Sequence, residues 1–417
     1  MSTPTAAPRP NLLSLDDALA RLLGAIEPLP AAERERLSTF DALGRVLAED
    51  VRSALDVPPE DNSAMDGYAL RAADVPSSGT VLPVSQRIPA GVVGQPLAAG
   101  TAARIFTGAQ VPKGADTVVM QELCEAVDGG AVRINTVPER GGSVRLRGED
   151  VQNGAVVLPA GVRLLPQHLG LAAAVGAATV RVGRRPKVAL FSTGDELVMP
   201  GEPLKPGAIY NSNRYTLTGL IRALGGECVD LGIVPDKLDL TRAVLREAAA
   251  GNDLIVSCGG VSVGEEDHLK PAVEAEGRLD LWQIALKPGK PLAFGEVRRP
   301  SGEGSAWFIG LPGNPVSAYI TFMLAVRPVL LKLQGGTNLA PVGYALRADF
   351  DWAKPDRRRE FMRVRLNAEG GLDLYPNQGS GVLTSVVWGD GLVDNPPGQA
   401  IRRGDTVRFL PFAALLA

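Results

Sequence analysis

Histidine is almost missing from this chain: His168 and His268 are the only two in 417 residues. That scarcity argues against a serine–histidine catalytic pair and against a histidine metal centre. Cysteine is scarce too. Cys124, Cys228 and Cys258 are odd in number and far apart, which disfavours both a disulfide framework and a zinc site. A surplus of basic charge is also absent. Lys plus Arg is 43 against 46 for Asp plus Glu, a net charge of −3, so no nucleic-acid partner is expected. No apolar run long enough to span a bilayer is apparent, so no membrane partner is expected either. The segment Met1–Pro10 is rich in Pro, Ala and Thr and lacks an apolar signal core; it reads as a frayed tail. What is left is a cytoplasmic enzyme that works with carboxylates, lysines and backbone amides.

The length predicts two to four domains at about 150 residues each. An apolar share of 45% is that of a globular protein, and 33 prolines with 48 glycines imply many turns. Leu12, Leu15, Leu19, Leu22, Leu23 and Ile26 recur at helical spacing behind Ser14, a natural N-cap, and the helix ends before Pro28. A second short helix is expected over Ala31–Phe40. From about Val57 to Gly148 short β-like runs are split by Pro and Gly, the texture of a small β-rich domain. From about Arg184 to Gly335 strands and helices alternate, which predicts a doubly wound, mainly parallel sheet. Strands fit Lys187–Phe191, Glu227–Ile233, Asp253–Ser257, Leu281–Ala285, Pro291–Phe294 and Ala306–Ile309. Helices fit Arg214–Leu224, Leu240–Ala249, His268–Glu276 and Pro315–Leu333. The last 80 or so residues return to short strands and turns, as in a small β domain.

In an open α/β sheet, ligands sit beyond the carboxyl ends of the strands. Five unusual loops follow these strands: Ser192–Glu196, Val234–Asp236, Gly259–Asp267, Lys287–Pro291 and Leu311–Pro315. The third is the most telling. The apolar run Leu254–Ser257 enters Cys258-Gly259-Gly260-Val261-Ser262-Val263-Gly264 and reaches Glu265-Glu266-Asp267 at a helix start. Glycines let backbone N–H groups close on an anion, and a helix N-terminus favours negative charge. A rim holding Glu196, Asp236 and Asp267 with Lys287 and Lys290 suits a phosphorylated ligand with a magnesium ion, which prefers one or two carboxylates plus phosphate oxygens and water. Taken singly, each loop also reads as an ordinary capped turn, and its lysines as solvated surface charge. Convergence on one rim favours function. Cys258 reads as a small buried hydrophobe rather than a nucleophile. Two further loops stand out, Asp61–Tyr68 and Arg145–Asp150, each equally readable as a capped turn or a hinge ion-pair cluster.

Together, Asp61–Tyr68, Phe106–Ala109, Arg147–Asp150, Ser192–Leu197, Gly259–Asp267, Lys287–Pro291 and Leu311–Ser317 resemble, in order and spacing, the molybdopterin molybdenumtransferase family (MoeA and the related gephyrin E domain). The resemblance spans nearly the whole chain. It implies a multidomain α/β plus β protein: a discontinuous linker domain of residues 1–56 and 149–182, a β-rich insertion of residues 57–148, an α/β molybdopterin-binding domain of residues 183–335, and a C-terminal β-barrel-like domain of residues 336–417. It further implies a homodimer whose cleft is shared between protomers. The reaction it implies is insertion of molybdenum from molybdate into adenylylated molybdopterin, with Mg2+-dependent release of AMP.

On that resemblance Asp61, Thr107, Glu149, Asp150, Glu196, Asp236 and Asp267 are the catalytic candidates, with Glu196, Asp236 and Asp267 holding Mg2+. Gly259, Gly260 and Ser262 would hold the adenylyl phosphate. Lys287 and Lys290 would attract molybdate, helped by Ser380 and by Arg358 or Arg363, and Pro312 and Pro315 would shape the pocket. Cys258 departs from the small hydroxyl residue the pattern suggests. A molybdopterin adenylyltransferase, a non-catalytic scaffold and a tungstate-inserting homologue stay open as alternatives. The N-terminal half argues against the first, and the acids with both lysines against the second.

Overall fold

The computed structural model describes residues 12–261 and 268–416; the tail Met1–Pro10 and the loop residues Ser262 and Asp267 lie outside them. The fold is mixed α/β with separate sheets for each part of the chain. Its largest unit is a six-stranded sheet in the order Glu227–Val234, Lys187–Thr193, Leu254–Cys258, Ser305–Leu311, Pro291–Arg298, Gly277–Gln283. The first four strands are parallel, and the last two run antiparallel to their neighbours. Side chains alternate between the two faces of a strand. Val188 and Leu190 therefore enter one core with Leu217, Leu220 and Ile221 of helix Ser212–Ala223. Ala189 and Phe191 enter the other, with Val244, Leu245, Leu269 and Val273 from helices Leu238–Gly251 and Leu269–Glu276.

The antiparallel pair departs from the expected alternation. Helix Leu269–Glu276 runs directly into strand Gly277–Gln283, earlier than the expected Leu281–Ala285. The strand begins with Arg278 and Asp280 at the sheet edge, where polar residues are tolerated and the apolar run that guided the expectation is shorter than the strand itself. The turn from residue 284 to 290 then returns the chain antiparallel through Pro291–Arg298. This hairpin lies at the same end of the sheet as the carboxyl ends of the parallel strands, because Ala293 pairs with Gly310 and Gln283 with Pro291.

The expected helix over Ala31–Phe40 is instead a strand, Glu35–Ser38, between single turns of 3-10 helix. It pairs antiparallel with Thr179–Val182, Leu37 opposite Val180. The partner lies more than 140 residues away, so local spacing carries no trace of it. Helix Leu15–Ala25 forms as expected, with the Ser14 side chain accepting from the Asp17 N–H. Its buried Leu15, Ala18 and Leu22 enter the α/β core rather than the core built from Leu47, Leu158, Leu164 and Val180. The stretch Pro315–Leu333 is helical throughout, with a π-helical turn at Phe322–Val326. By length and apolarity it is the one helix among the described residues that matches a membrane span, which the expectation of no such run did not foresee; 94% of its apolar stretch is buried inside the protein.

The β-rich insertion folds around a six-stranded sheet that includes Gly67–Leu70, Thr80–Ile88, Ala102–Ile105, Thr117–Met120 and Ala131–Ile134. The C-terminal sheet carries Arg359–Leu366, Gly391–Asn395, Thr406–Pro411 and Tyr344–Arg347. A bridge from Ala348 to Leu372 draws its two edges together into a curl. One strand of that sheet, Leu286–Lys287, comes from the α/β hairpin turn and pairs in parallel with Arg359–Glu360.

Leu22 is fully buried in the core that the N-terminal helix shares with the α/β sheet. Leu22→Ala should therefore destabilise the α/β domain by about 2–5 kcal/mol. Urea unfolding followed by amide exchange of Lys187–Thr193 measures this; a loss below about 1 kcal/mol would show that the helix does not support this core.

Candidate functional site

The sheet rim opens into a cleft of about 780 Å³. All five loops singled out in the sequence line it, contributing Glu196, Asp236, Gly259, Gly260, Lys287, Lys290, Pro312 and Pro315. Arg358, Gln378, Gly379 and Ser380 of the C-terminal domain line it too. Four loops arrive as carboxyl ends of parallel strands, and the lysine loop arrives as the hairpin turn.

The acids gather on one side. The Asp236 N–H donates to Asp195 Oδ1 at 3.2 Å. Partial burial, then the nearby charges of Asp195 and Glu196, push the Asp236 carboxyl above its ordinary value. Among the described residues no three His, Cys, Asp or Glu side chains converge tightly enough to hold a metal alone.

The cations sit opposite, and their surroundings differ. Lys287 Nζ lies 3.0 Å from Glu360 and 3.5 Å from Asp356, and 5.9 Å from the centre of the Trp352 ring. Glu360 is 1% exposed and also accepts from Trp352 Nε1 at 2.9 Å and from the Asp356 N–H at 3.0 Å. Arg358 grips Asp356 through Nε and Nη2, which holds the Asp356 carboxyl well below the usual range. Lys290 is exposed and has no ion-pair partner among the described residues. Arg363 does not line the cleft. It is 1% exposed beneath the loop, where it donates to Ser385 Oγ at 3.0 Å and the Gly379 carbonyl at 3.1 Å. Burial lowers its pKa to about 10, so it stays charged at neutral pH and fixes the shape of the Gln378–Ser380 loop. The Val316 N–H in turn donates to the Ser380 carbonyl at 2.9 Å, tying that loop to the start of helix Pro315–Thr321.

Gly259 adopts φ +94°, and a Cβ there would stand 2.5 Å from the Thr193 carbonyl oxygen. Only glycine lets these two strand ends approach so closely. Cys258 is buried and donates to the Pro312 carbonyl at 3.4 Å; burial pushes its thiol up to about 12, so it is no thiolate nucleophile. Asn213 accepts no role from sequence reasoning, yet its Nδ2 bridges the Gly313 carbonyl at 2.7 Å and Cys258 Sγ at 3.1 Å. Ser192, Thr193 and Asn211 line the cleft and carry buried side-chain atoms without a hydrogen-bond partner among the described residues. Buried polar atoms of that kind are the ones a ligand or water satisfies. The only signal for Glu360 was a glutamate ahead of an apolar strand, too common to single out.

The remaining candidates lie outside this cleft. Asp61 accepts from the Arg147 N–H at 2.7 Å, and Glu149 from the Leu146 N–H at 2.8 Å. Thr107 donates through both its N–H (2.8 Å) and its hydroxyl (2.7 Å) to Asp66 Oδ1, which lowers the Asp66 pKa. Asp150 is exposed and its N–H donates to the Val57 carbonyl.

Three sequence profiles match the chain in order. They are the MoeA N-terminal region (domain I and II) over residues 13–176, a probable molybdopterin binding domain over residues 189–332, and the MoeA C-terminal region (domain IV) over residues 345–412. The chain is 38% identical over 412 residues to a molybdopterin molybdenumtransferase of Haemophilus influenzae, covering 97% of this chain and 100% of the relative. A second relative of that name, from Nostoc sp., is 38% identical over 380 residues, covering 88% and 86%. The crystal structure of the molybdopterin biosynthesis moeA protein from Pyrococcus horikoshii OT3 superposes with a TM-score of 0.83 at 30% identity, covering 96% of this chain and all of that one.

Asp236→Asn removes a carboxylate that ionises against its neighbours. Protonated Asp236 contributes stability below the unfolded pKa, and that contribution is lost as pH rises through its elevated folded value. Without divalent cations, the variant should therefore melt higher than the parent at pH 7, and the two should coincide below about pH 4. Equal melting temperatures at both pH values would remove the acid crowding.

Proposed function

The chain belongs to the MoeA family of molybdopterin molybdenumtransferases, enzymes of molybdenum cofactor biosynthesis, and from that premise we propose that its cleft inserts molybdenum from molybdate into adenylylated molybdopterin and releases AMP. The observation that carries this reading is the separation of charge within one cleft: Glu196 and Asp236 on one wall, Lys287, Lys290 and Arg358 on the other. Such a cleft accepts a phosphorylated ligand and an oxyanion side by side.

A magnesium ion fits the acidic wall. Asp236 ionises against Asp195 and Glu196, a crowding that a divalent cation relieves. Glu196 and Asp236 would hold it, joined by Asp267, which lies outside the described residues, leaving positions for phosphate oxygens and water. Bound there, the ion supplies charge neutralisation to the phosphate being cleaved. The backbone at Gly259-Gly260 and Ser262 would cradle that phosphate. Pro312 and Pro315 hold the loop between them in one shape, and the Ser380 loop closes the cleft from the C-terminal domain. Lys290, exposed and without an ion-pair partner among the described residues, attracts the molybdate dianion.

Asp61, Thr107, Glu149 and Asp150 enter this reading through a homodimer in which the β-rich domain of one protomer faces the cleft of the other. A cytoplasmic location accords with three unpaired cysteines. Molybdate and tungstate are oxyanions of like charge and size, so a tungstate-specific enzyme is tested by the same assay.

AMP release and metal-bound cofactor, followed with and without molybdate and Mg2+, measure the reaction directly. Release that needs both is the expected result; tight pterin binding without turnover would overturn it in favour of a scaffold. Lys290→Ala should raise the molybdate requirement about tenfold, the loss of one charge-assisted contact, with pterin binding retained. Lys287→Ala is a poorer probe, because stranding the buried Glu360 carboxylate costs about 3 kcal/mol or more of stability. The shared cleft predicts that Asp61→Asn and Lys290→Ala protomers, each impaired alone, regain activity when mixed and re-associated. Mixtures no better than either parent would place both residues in a site built within one protomer.

A further inference from the structure

The β-rich insertion breaks a rule of sheet construction. Strands Thr80–Ile88 and Ala102–Ile105 are parallel, and their register sets Arg87 beside Arg104 on one face. Like charges facing one another across neighbouring strands destabilise a sheet. Neither arginine has an ion-pair partner among the described residues. Arg104 donates to the Gly67 carbonyl at 2.9 Å and to Gln121 Oε1 at 2.6 Å, while Arg87 is exposed and makes no side-chain hydrogen bond. Both guanidiniums lie over the Phe106 ring, at 4.6 Å and 4.5 Å from its centre, and Arg104 also lies 5.3 Å from that of Tyr68. Phe106 directly precedes Thr107, whose N–H and hydroxyl hold Asp66.

Stacking on a ring holds a guanidinium in place while leaving N–H groups open at its edge, those of Arg87 and the ones Arg104 does not spend on Gly67 and Gln121, and a planar fork held in place suits a phosphate oxygen pair. Two such cations side by side, with no ion-pair partner among the described residues and only the nearby Asp66 charge felt by Arg104, make a site for a tetrahedral oxyanion. We infer that Arg87 and Arg104, ordered on Phe106, form an oxyanion-binding platform on the β-rich domain that takes the phosphate of an organic ligand. The inference rests on the proposed function only for which phosphate that is. The charge argument needs the anion alone: a bound dianion converts the repulsive arginine pair into a bridged one.

The test uses the full-length chain with Phe106→Trp as a local reporter. Its fluorescence is titrated with AMP, with inorganic phosphate and with molybdate, against chloride at matched ionic strength. The expected result is a saturable change, weakened about tenfold when Arg87→Ala is added, as for one charge-assisted contact, and less so with Arg87→Lys, which keeps the charge and loses the fork. A stronger response to AMP than to inorganic phosphate or molybdate identifies the phosphate of an organic ligand; an equal or stronger response to molybdate overturns that assignment. No saturable response, or one unchanged by Arg87→Ala in a variant with the parent's melting temperature, overturns the proposal. AMP release by the parent enzyme, measured separately, decides the proposed function, so either can fail without the other.

Discussion

The contact on which the cleft most depends is the pairing of Leu286–Lys287 with Arg359–Glu360. Two main-chain partners join the α/β hairpin turn to the C-terminal sheet, and the register sets Lys287 against a glutamate that is almost wholly buried. A buried carboxylate without a cation is costly, so the pairing holds only if Lys287 turns inward. That fixes the lysine turn at the rim and leaves Lys290, three residues on, as the exposed cation. It also brings Arg358 and the Gln378–Ser380 loop to the cleft, since Arg363, four strand positions from Arg359, anchors that loop from below. One strand pairing therefore positions the cationic wall from both sides.

Much of this was legible in sequence for a definite physical reason. The strand–loop–helix units of the α/β domain carry their own signals: apolar runs that end in glycine, proline or acid. Parallel connection then forces those loops onto one rim. The lysine loop reached the same rim by a different route, an antiparallel hairpin, which a reading that assumed uniform alternation did not distinguish. What stayed hidden depended on distant partners. Glu35–Ser38 looks helical in isolation and becomes a strand only because Thr179–Val182 offers it an edge. Arg363 looked like one more oxyanion ligand in an arginine-rich stretch, and only the tertiary structure shows it under the loop, bonded to carbonyls.

The cleft residues divide into those that touch solvent and those that shape the walls. Gly259, Pro312 and Asn213 belong to the second group. Glycine permits a close approach to Thr193, proline restricts the following loop, and the Asn213 amide ties that loop to Cys258. Cys258 is held in a neutral thiol state by burial, so a residue type often reactive elsewhere serves here as packing with one weak hydrogen bond. The rim can then present charged groups on loops without those loops being loose.

Composition and local charge point in different directions, and the difference is informative. A net charge of −3 and near-equal numbers of acids and bases give the chain no overall electrostatic bias. Yet some of the cations without an ion-pair partner among the described residues stand together where a ligand would meet them, Lys290 at the rim and the arginine pair over Phe106, whereas Arg184, Arg359 and Arg242 are spent on the carboxylates Asp253, Asp394 and Glu276. Charges left uncompensated inside an otherwise balanced protein cost stability, and consistency across sequence, packing and electrostatics is broken mainly where a ligand restores it. For this chain those breaks are acids crowded against acids at Asp236 and cations set beside cations at Arg87. Each has the sign opposite to the partner it would need, a divalent cation in the first case and an oxyanion in the second.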